Sequence, residues 1–144
     1  MIGAGIIPVN FDNDNIRILL VKGKQSNKWS FPKGHTEENE DVIGTAIREM
    51  KEETGIQIHE NEINKRVKLG DYVFFMVKMY NLNKVIKQES EIIDYKWMLL
   101  EDIMRLDMNE INYSLKLFRF FLKKNKTISS FMQQKQNQIY IIEP

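Results

Sequence analysis

The chain has 144 residues, 42% of them hydrophobic, and its 21 basic and 20 acidic side chains leave a net charge of +1. That length suits one compact domain, so residues 1–144 read as a single domain, and no apolar run approaches the roughly 18 residues that crossing a bilayer requires, which argues against a membrane partner. The balanced charge argues against a strongly electrostatic nucleic-acid binder but leaves room for a local basic groove, and the absence of cysteine excludes disulfides and thiolate metal sites and argues against redox chemistry.

The apolar start, Met1 to Val9, has no basic leader and meets Asn10, Asp12 and Asp14 too soon for a secretory signal, so a cytoplasmic location is expected. Gly3 to Val9 and Ile16 to Val21 are β-rich runs around a turn-forming cluster of Asn10, Asp12, Asn13, Asp14 and Asn15, which predicts a hairpin. A polar loop from Gly23 to Lys28 leads into Trp29 to Gly34, where Pro32 and Gly34 end a short strand; loop is expected from there to about Glu40. Ile43, Ala46, Ile47 and Met50 then recur at helical spacing, and Gly55 suits a left-handed cap, predicting a helix over 41–54. Asp71 to Tyr80 and Ile92 to Met98 read as strands, and Glu110 to Lys124 as a helix with Ile111, Leu115, Phe118 and Leu122 on one stripe. The polar run from Lys123 to Gln138, followed by Ile139 to Ile142, reads either as a tail beginning at about residue 125 or as an added edge strand.

The chemistry concentrates on the helix over 41–54. At about 100° per residue, Glu49, Glu52 and Glu53 fall within roughly a 100° arc beside the apolar stripe, with Glu40 near the helix start. Like charges at this spacing repel, and a divalent cation compensates that repulsion. All-oxygen ligands suit magnesium, calcium or manganese, and magnesium is commonly shared between a few carboxylates and substrate phosphates. A solvated acidic helix face is the bland alternative for any glutamate-rich helix.

The wider pattern decides between them. Gly34, Glu40, Arg48, Glu49, Met50, Glu52, Glu53, Gly55 and Ile56 fall at the spacing of a 23-residue box over 34–56, with five residues between Gly34 and Glu40 and seven between Glu40 and Arg48. This resembles the Nudix box without a departure, a coincidence expected on the order of once in ten million chains of this length. The resemblance implies an α/β fold, an α/β/α sandwich with a central mixed sheet, and an enzyme that cleaves a phosphoanhydride bond in a nucleoside diphosphate linked to another group. It implies Mg2+ as cofactor, with Mn2+ a substitute, and a nucleotide as substrate. Glu52 and Glu53 are the implied principal metal ligands, and Glu49 is a further ligand or the base that activates water. The backbone carbonyl of Lys33 completes the site in many members, which gives Gly34 a reason in close backbone approach. Arg48 is expected to orient or neutralise the carboxylates, and Glu40 to support them. Glu91, preceding Trp97, resembles the extra glutamate that in this family reaches the metals or acts as base, with Glu89 the alternative in another loop register. Trp97 itself is expected in the core.

Substrate must be read from the flanks. Trp29 to His35, with Pro32, Lys33, Gly34 and His35 entering the box, resembles the diadenosine polyphosphate hydrolases, and Tyr72 lies close to where that branch carries a tyrosine. Lys33, His35 and Tyr72 are therefore the expected substrate-binding residues, against a plain packing role for Tyr72 and a solvated loop for His35 and His59. Messenger RNA decapping enzymes share much of the same segment, and the Glu91 to Trp97 run is similar to theirs. Lys22, Lys24, Lys28 and Lys33 are placed to meet polyphosphate, while Lys123, Lys124 and Lys126 either track RNA or terminate a helix. The expected activity is thus hydrolysis of diadenosine tetraphosphate to a nucleoside triphosphate and a mononucleotide. RNA 5′-end or cap hydrolysis, a housecleaning nucleoside triphosphate pyrophosphatase and a non-catalytic nucleotide sensor are the alternatives. Oligomeric state is left open.

Overall fold

The computed structural model describes residues 2–86, 91–124 and 139–142. Its eight strands are β1 (Gly3–Asp12), β2 (Asn15–Gly23), β3 (Trp29–Ser30), β4 (Lys33–His35), β5 (Ile63–Leu69), β6 (Tyr72–Met79), β7 (Ile92–Leu99) and β8 (Ile139–Ile142). They form one sheet in the order β3-β2-β1-β6-β5-β8, with β4 beside β1 and β7 beside β2. The sheet is mixed: β1 runs parallel to β6 but antiparallel to β2 and β4. The helices are α1 (Val42–Thr54), α2 (Leu100–Ile103) and α3 (Tyr113–Lys124).

Alternation along the central strands explains the layers. Ala4 and Ile6 of β1, Leu19 of β2, and Phe75 and Val77 of β6 gather with Ala46 and Met50 of α1 on one face. Their neighbours in sequence, Ile7, Val9, Leu20, Phe74 and Met76, gather with Leu115 and Phe118 of α3 on the other. A period of two in strands buried on both faces makes them near-continuously apolar, the pattern Gly3 to Val9 shows. Phe31 sits edge-on to both Phe74 and Phe118, with ring centroids 5.2 Å away in each case. Burial of each such ring contributes about 2–3 kcal/mol. The result is the expected α/β/α sandwich.

Helix α1 is capped at both ends. The Asp41 side chain accepts the Gly44 N–H at 2.7 Å, and Gly55, at φ 78°, donates its N–H to the Lys51 carbonyl. A side chain at 55 would strain that left-handed backbone.

Three expectations need correction. The run Trp29 to Gly34, expected as one short strand with loop after it, is instead split into β3 (Trp29–Ser30) and β4 (Lys33–His35), because Gly3–Gly5 of β1 offer a free edge below the point where β2 pairs. The helix read from Glu110 begins at Tyr113: residues Met108–Glu110 make a 3-10 turn, Ile111 bridges to Trp29, and Asn112 caps α3 by accepting the Leu115 N–H at 3.0 Å. Strand β5 was not foreseen, since Asn64, Arg66 and Lys68 interrupt an apolar reading although Lys65, Val67 and Leu69 alternate inward. Ile139–Ile142 takes the edge-strand alternative, parallel to β5. Trp97 is only partly buried and donates its indole N–H to the Asn83 carbonyl at 3.1 Å. Glu89 and Lys126 lie outside the described residues.

Candidate metal centre and active site

Strand β4 and helix α1 build the site between them. Gly34 faces α1 so closely that a Cβ there would lie 2.1 Å from the Glu49 carboxylate. A side chain at 34 would therefore displace the Glu49 carboxylate from its place against β4. Glu49 and Glu53 are only 8% and 7% exposed, whereas Glu52, one turn beyond Arg48, is open to solvent. The arc of carboxylates is therefore not a uniformly solvated face: two of the three press against β4.

Burial determines their protonation. It pushes the Glu53 carboxyl up to about 8, with the Glu49 charge adding to the rise and Lys33 opposing it. Glu49 is raised as well, again mainly by desolvation and against the pull of Arg48. Glu53 Oε1 accepts the Lys33 N–H at 3.2 Å, so the Lys33 backbone stands at the carboxylate group. Arg48 neutralises the others. Its Nε and Nη2 grip Glu40 at 2.7 and 3.0 Å, Nη1 reaches Glu49 at 2.9 Å and Glu52 at 3.2 Å, and Nη2 also donates to the His35 carbonyl at 3.1 Å. That fork holds Glu40 at about 2, despite some desolvation, and the attraction runs both ways, raising Arg48 further.

Among the described residues, no three carboxylate or imidazole groups converge as a ready-made ion cage. Glu52 is turned onto Arg48 and Glu53 onto the β4 backbone, and Glu52 is exposed enough to swing. The donor set still fits a hard divalent cation: it is all oxygen, anionic and partly desolvated, and burial first, neighbouring carboxylates second, raise Glu49 and Glu53, a cost that a bound cation would offset.

A cavity of about 360 Å³ opens beside this group. Lys24, Ser30, Lys33, Glu53, Glu91 and Asn112 contribute to its wall, so the structure brings Glu91 to Glu53 as expected. The Glu91 carbonyl takes the Lys24 N–H at 2.8 Å, which ties the loop after β2 to the start of β7. On the neighbouring surface the Tyr72 ring stacks on His35, centroids 6.0 Å apart at 25°, and Lys33 Nζ lies 4.7 Å from the Tyr72 ring centre. Tyr72 also stacks on buried Phe74, which supports the packing reading from below while its other side meets His35. His59 is exposed, its backbone tied to Glu62, and plays no part here. Lys22 lies over Trp29 at 5.6 Å, and Lys28 is not part of the cavity wall. Ser30, Asn112 and the Gly23–Ser26 turn were missed; only the cap position of Asn112 before a helical stripe gives a signal for any of them.

The box and the fold agree with the comparisons. A NUDIX domain model matches residues 1–117, so the chain belongs to the Nudix family, and it is a hydrolase acting on phosphoanhydride bonds. The chain is 30% identical over 112 residues to the mouse asymmetrical bis(5′-nucleosyl)-tetraphosphatase, covering 70% of this chain and 76% of that one. It is 32% identical over 93 residues to the m7GpppN-mRNA hydrolase of Saccharomyces cerevisiae, covering 58% of this chain but only 10% of that much longer protein. The crystal structure of a C. elegans Ap4A hydrolase binary complex is similar at a TM-score of 0.63 and 27% identity, covering 85% of this chain and 98% of that one.

Proposed function

We propose that the protein is a Mg2+-dependent hydrolase of dinucleoside polyphosphates, splitting diadenosine tetraphosphate into a nucleoside triphosphate and a mononucleotide. One observation carries the substrate: Lys33 joins two receiving surfaces beside a single carboxylate group. On one lies the stacked pair His35 and Tyr72; on the other the cavity walled by Ser30, Glu91 and Asn112. A substrate with a bulky group at each end of a phosphate chain uses both, whereas a nucleoside triphosphate uses one. The resemblance to the mouse tetraphosphatase over most of both chains supports the same choice.

Glu49, Glu52 and Glu53 would hold the ion, with the Lys33 carbonyl and Glu91 completing its surroundings; Mn2+ would substitute. Bound there, the ion would neutralise charge on the phosphates and acidify water. A carboxylate of the Glu49, Glu53 and Glu91 group takes the proton of the attacking water. Arg48 cannot serve as that base, since a guanidinium held among carboxylates stays charged; it keeps Glu49 and Glu52 in place instead. Lys33 Nζ and the Lys24 side chain meet phosphate oxygens, and His35 with Tyr72 stacks on one base. Water attacks phosphorus directly, so no phosphorylated enzyme forms.

Capped or triphosphorylated RNA is the second reading, favoured by the similarity to the yeast m7GpppN-mRNA hydrolase and by Lys24 in the cavity wall. A cytoplasmic site of action is compatible with either. Hydrolysis in oxygen-18 water tests the proposal: it predicts ATP and AMP from diadenosine tetraphosphate, one labelled oxygen in one of them, and no turnover in EDTA. Symmetrical ADP products, or no hydrolysis with magnesium present, would overturn it.

A further inference from the structure

Thr45 lies on α1 one turn after the Asp41 cap, fully buried, and has no place among the fixed residues of the box. A buried threonine in a helix ordinarily satisfies its hydroxyl on the carbonyl four residues back, and the Asp41 carbonyl is indeed 3.0 Å away. The shorter contact goes elsewhere: Thr45 Oγ1 is 2.7 Å from Glu40 Oε1, the length of a hydroxyl donating to an ionised carboxylate. The Thr36 hydroxyl, 3.2 Å from Thr45 Oγ1, is placed to donate back, and Thr36 is itself tied by its N–H to the Ile2 carbonyl at the foot of β1.

Glu40 thereby receives four donors. Thr45, Arg48 Nη2 and the Glu37 N–H converge on Oε1, and Arg48 Nε takes Oε2. A carboxylate accepting two nitrogens of one guanidinium fixes the plane of that guanidinium, and the third nitrogen is the one shared by Glu49 and Glu52. The chain of contacts therefore runs from a buried hydroxyl to the carboxylates of the metal centre.

We propose that Thr45 is a positioning residue of the carboxylate site: its hydroxyl orients Glu40, and through Glu40 aims Arg48 between Glu49 and Glu52. The inference rests on the reading that these glutamates hold a divalent cation. Partners lying behind metal ligands typically alter metal affinity by tenfold or more.

The test uses Mn2+ alone, with the full chain, counting free ion by electron paramagnetic resonance, and melting in EDTA as a control for folding. Thr45→Val keeps the side-chain shape without the hydroxyl and should weaken Mn2+ binding about tenfold. Thr45→Ser keeps the hydroxyl and should bind as the wild type does. Should Thr45→Val fail to fold, Thr45→Ala, which suits a helix interior, takes its place with the same expectation. Unchanged or tighter Mn2+ binding by the hydroxyl-free variant overturns the proposal. So does a Thr45→Ser variant as weak as Thr45→Val, since packing would then be responsible. A wild-type chain that binds no Mn2+ instead sinks the metal reading on which the proposal stands.

Discussion

Glu53 Oε1 accepts the backbone N–H of Lys33 across the gap between α1 and β4, 3.2 Å apart. The bond joins the helix that bears the carboxylates to the strand that bears Lys33 and His35, and it places a carboxyl in a site only 7% exposed. Replacing Glu53 with Gln keeps an acceptor for that N–H and keeps the shape, while removing the charge a cation would bind. Glu53→Gln should therefore fold normally and lose nearly all magnesium-dependent turnover. Steady-state assays alongside circular dichroism check this; wild-type turnover would show that Glu53 is not a ligand.

The same burial fixes how metal-free stability varies with pH. A carboxyl held at about 8 in the fold, against an ordinary 4.5, binds its proton more tightly in the native state. Its contribution is complete below about 4.5 and is lost as pH rises through about 8, on the order of a few kcal/mol in all. Melting in EDTA should thus show declining stability across that window, and Glu53→Gln should flatten the decline. Magnesium, which favours the ionised group, should restore stability most at the alkaline end. A metal-free wild type whose melting temperature does not fall toward pH 8 would contradict the assignment.

Tyr72 offers a separate handle on substrate. Its ring stacks between His35 and Phe74, with Lys33 over it, so on the proposed function a base would lengthen this stack beyond His35, with Tyr72 supporting it. Stacking of one base contributes about 1–3 kcal/mol, so Tyr72→Ala should lower kcat/KM for diadenosine tetraphosphate roughly tenfold to a hundredfold, mainly through KM. Tyr72→Phe, which keeps the ring, should stay near wild type. Equal losses in both variants would assign the effect to the hydroxyl, and a Tyr72→Ala loss that falls on kcat and melting temperature with KM unchanged would assign the ring to packing on Phe74.

How far the sequence reveals this arrangement differs from element to element. Helix α1 and its carboxylates are legible because spacing alone sets their angular positions, and Asp41 and Gly55 mark its ends. What spacing does not reveal is depth: Glu49 and Glu53 are buried because β4 forms opposite them, and β4 exists through pairing with the distant β1. Strand β5 was hidden because its inward positions include Lys65, whose aliphatic stem can be buried like an apolar side chain. Asn112 and Ser30 reach the cavity only once Trp29 and Ile111 are bridged, a contact across some eighty residues that no local pattern signals.

Direct competition tests the dinucleoside assignment most squarely. Diadenosine tetraphosphate, ATP and a short capped RNA are mixed at equal concentration with magnesium and enzyme, and their initial rates give the ratio of kcat/KM values. Two receiving surfaces around Lys33 predict that diadenosine tetraphosphate disappears fastest, yielding ATP and AMP, and that modest added salt changes its rate little. Faster loss of the capped RNA, falling steeply with salt as basic contacts to a phosphate backbone require, would contradict the assignment and make the decapping reading the correct one.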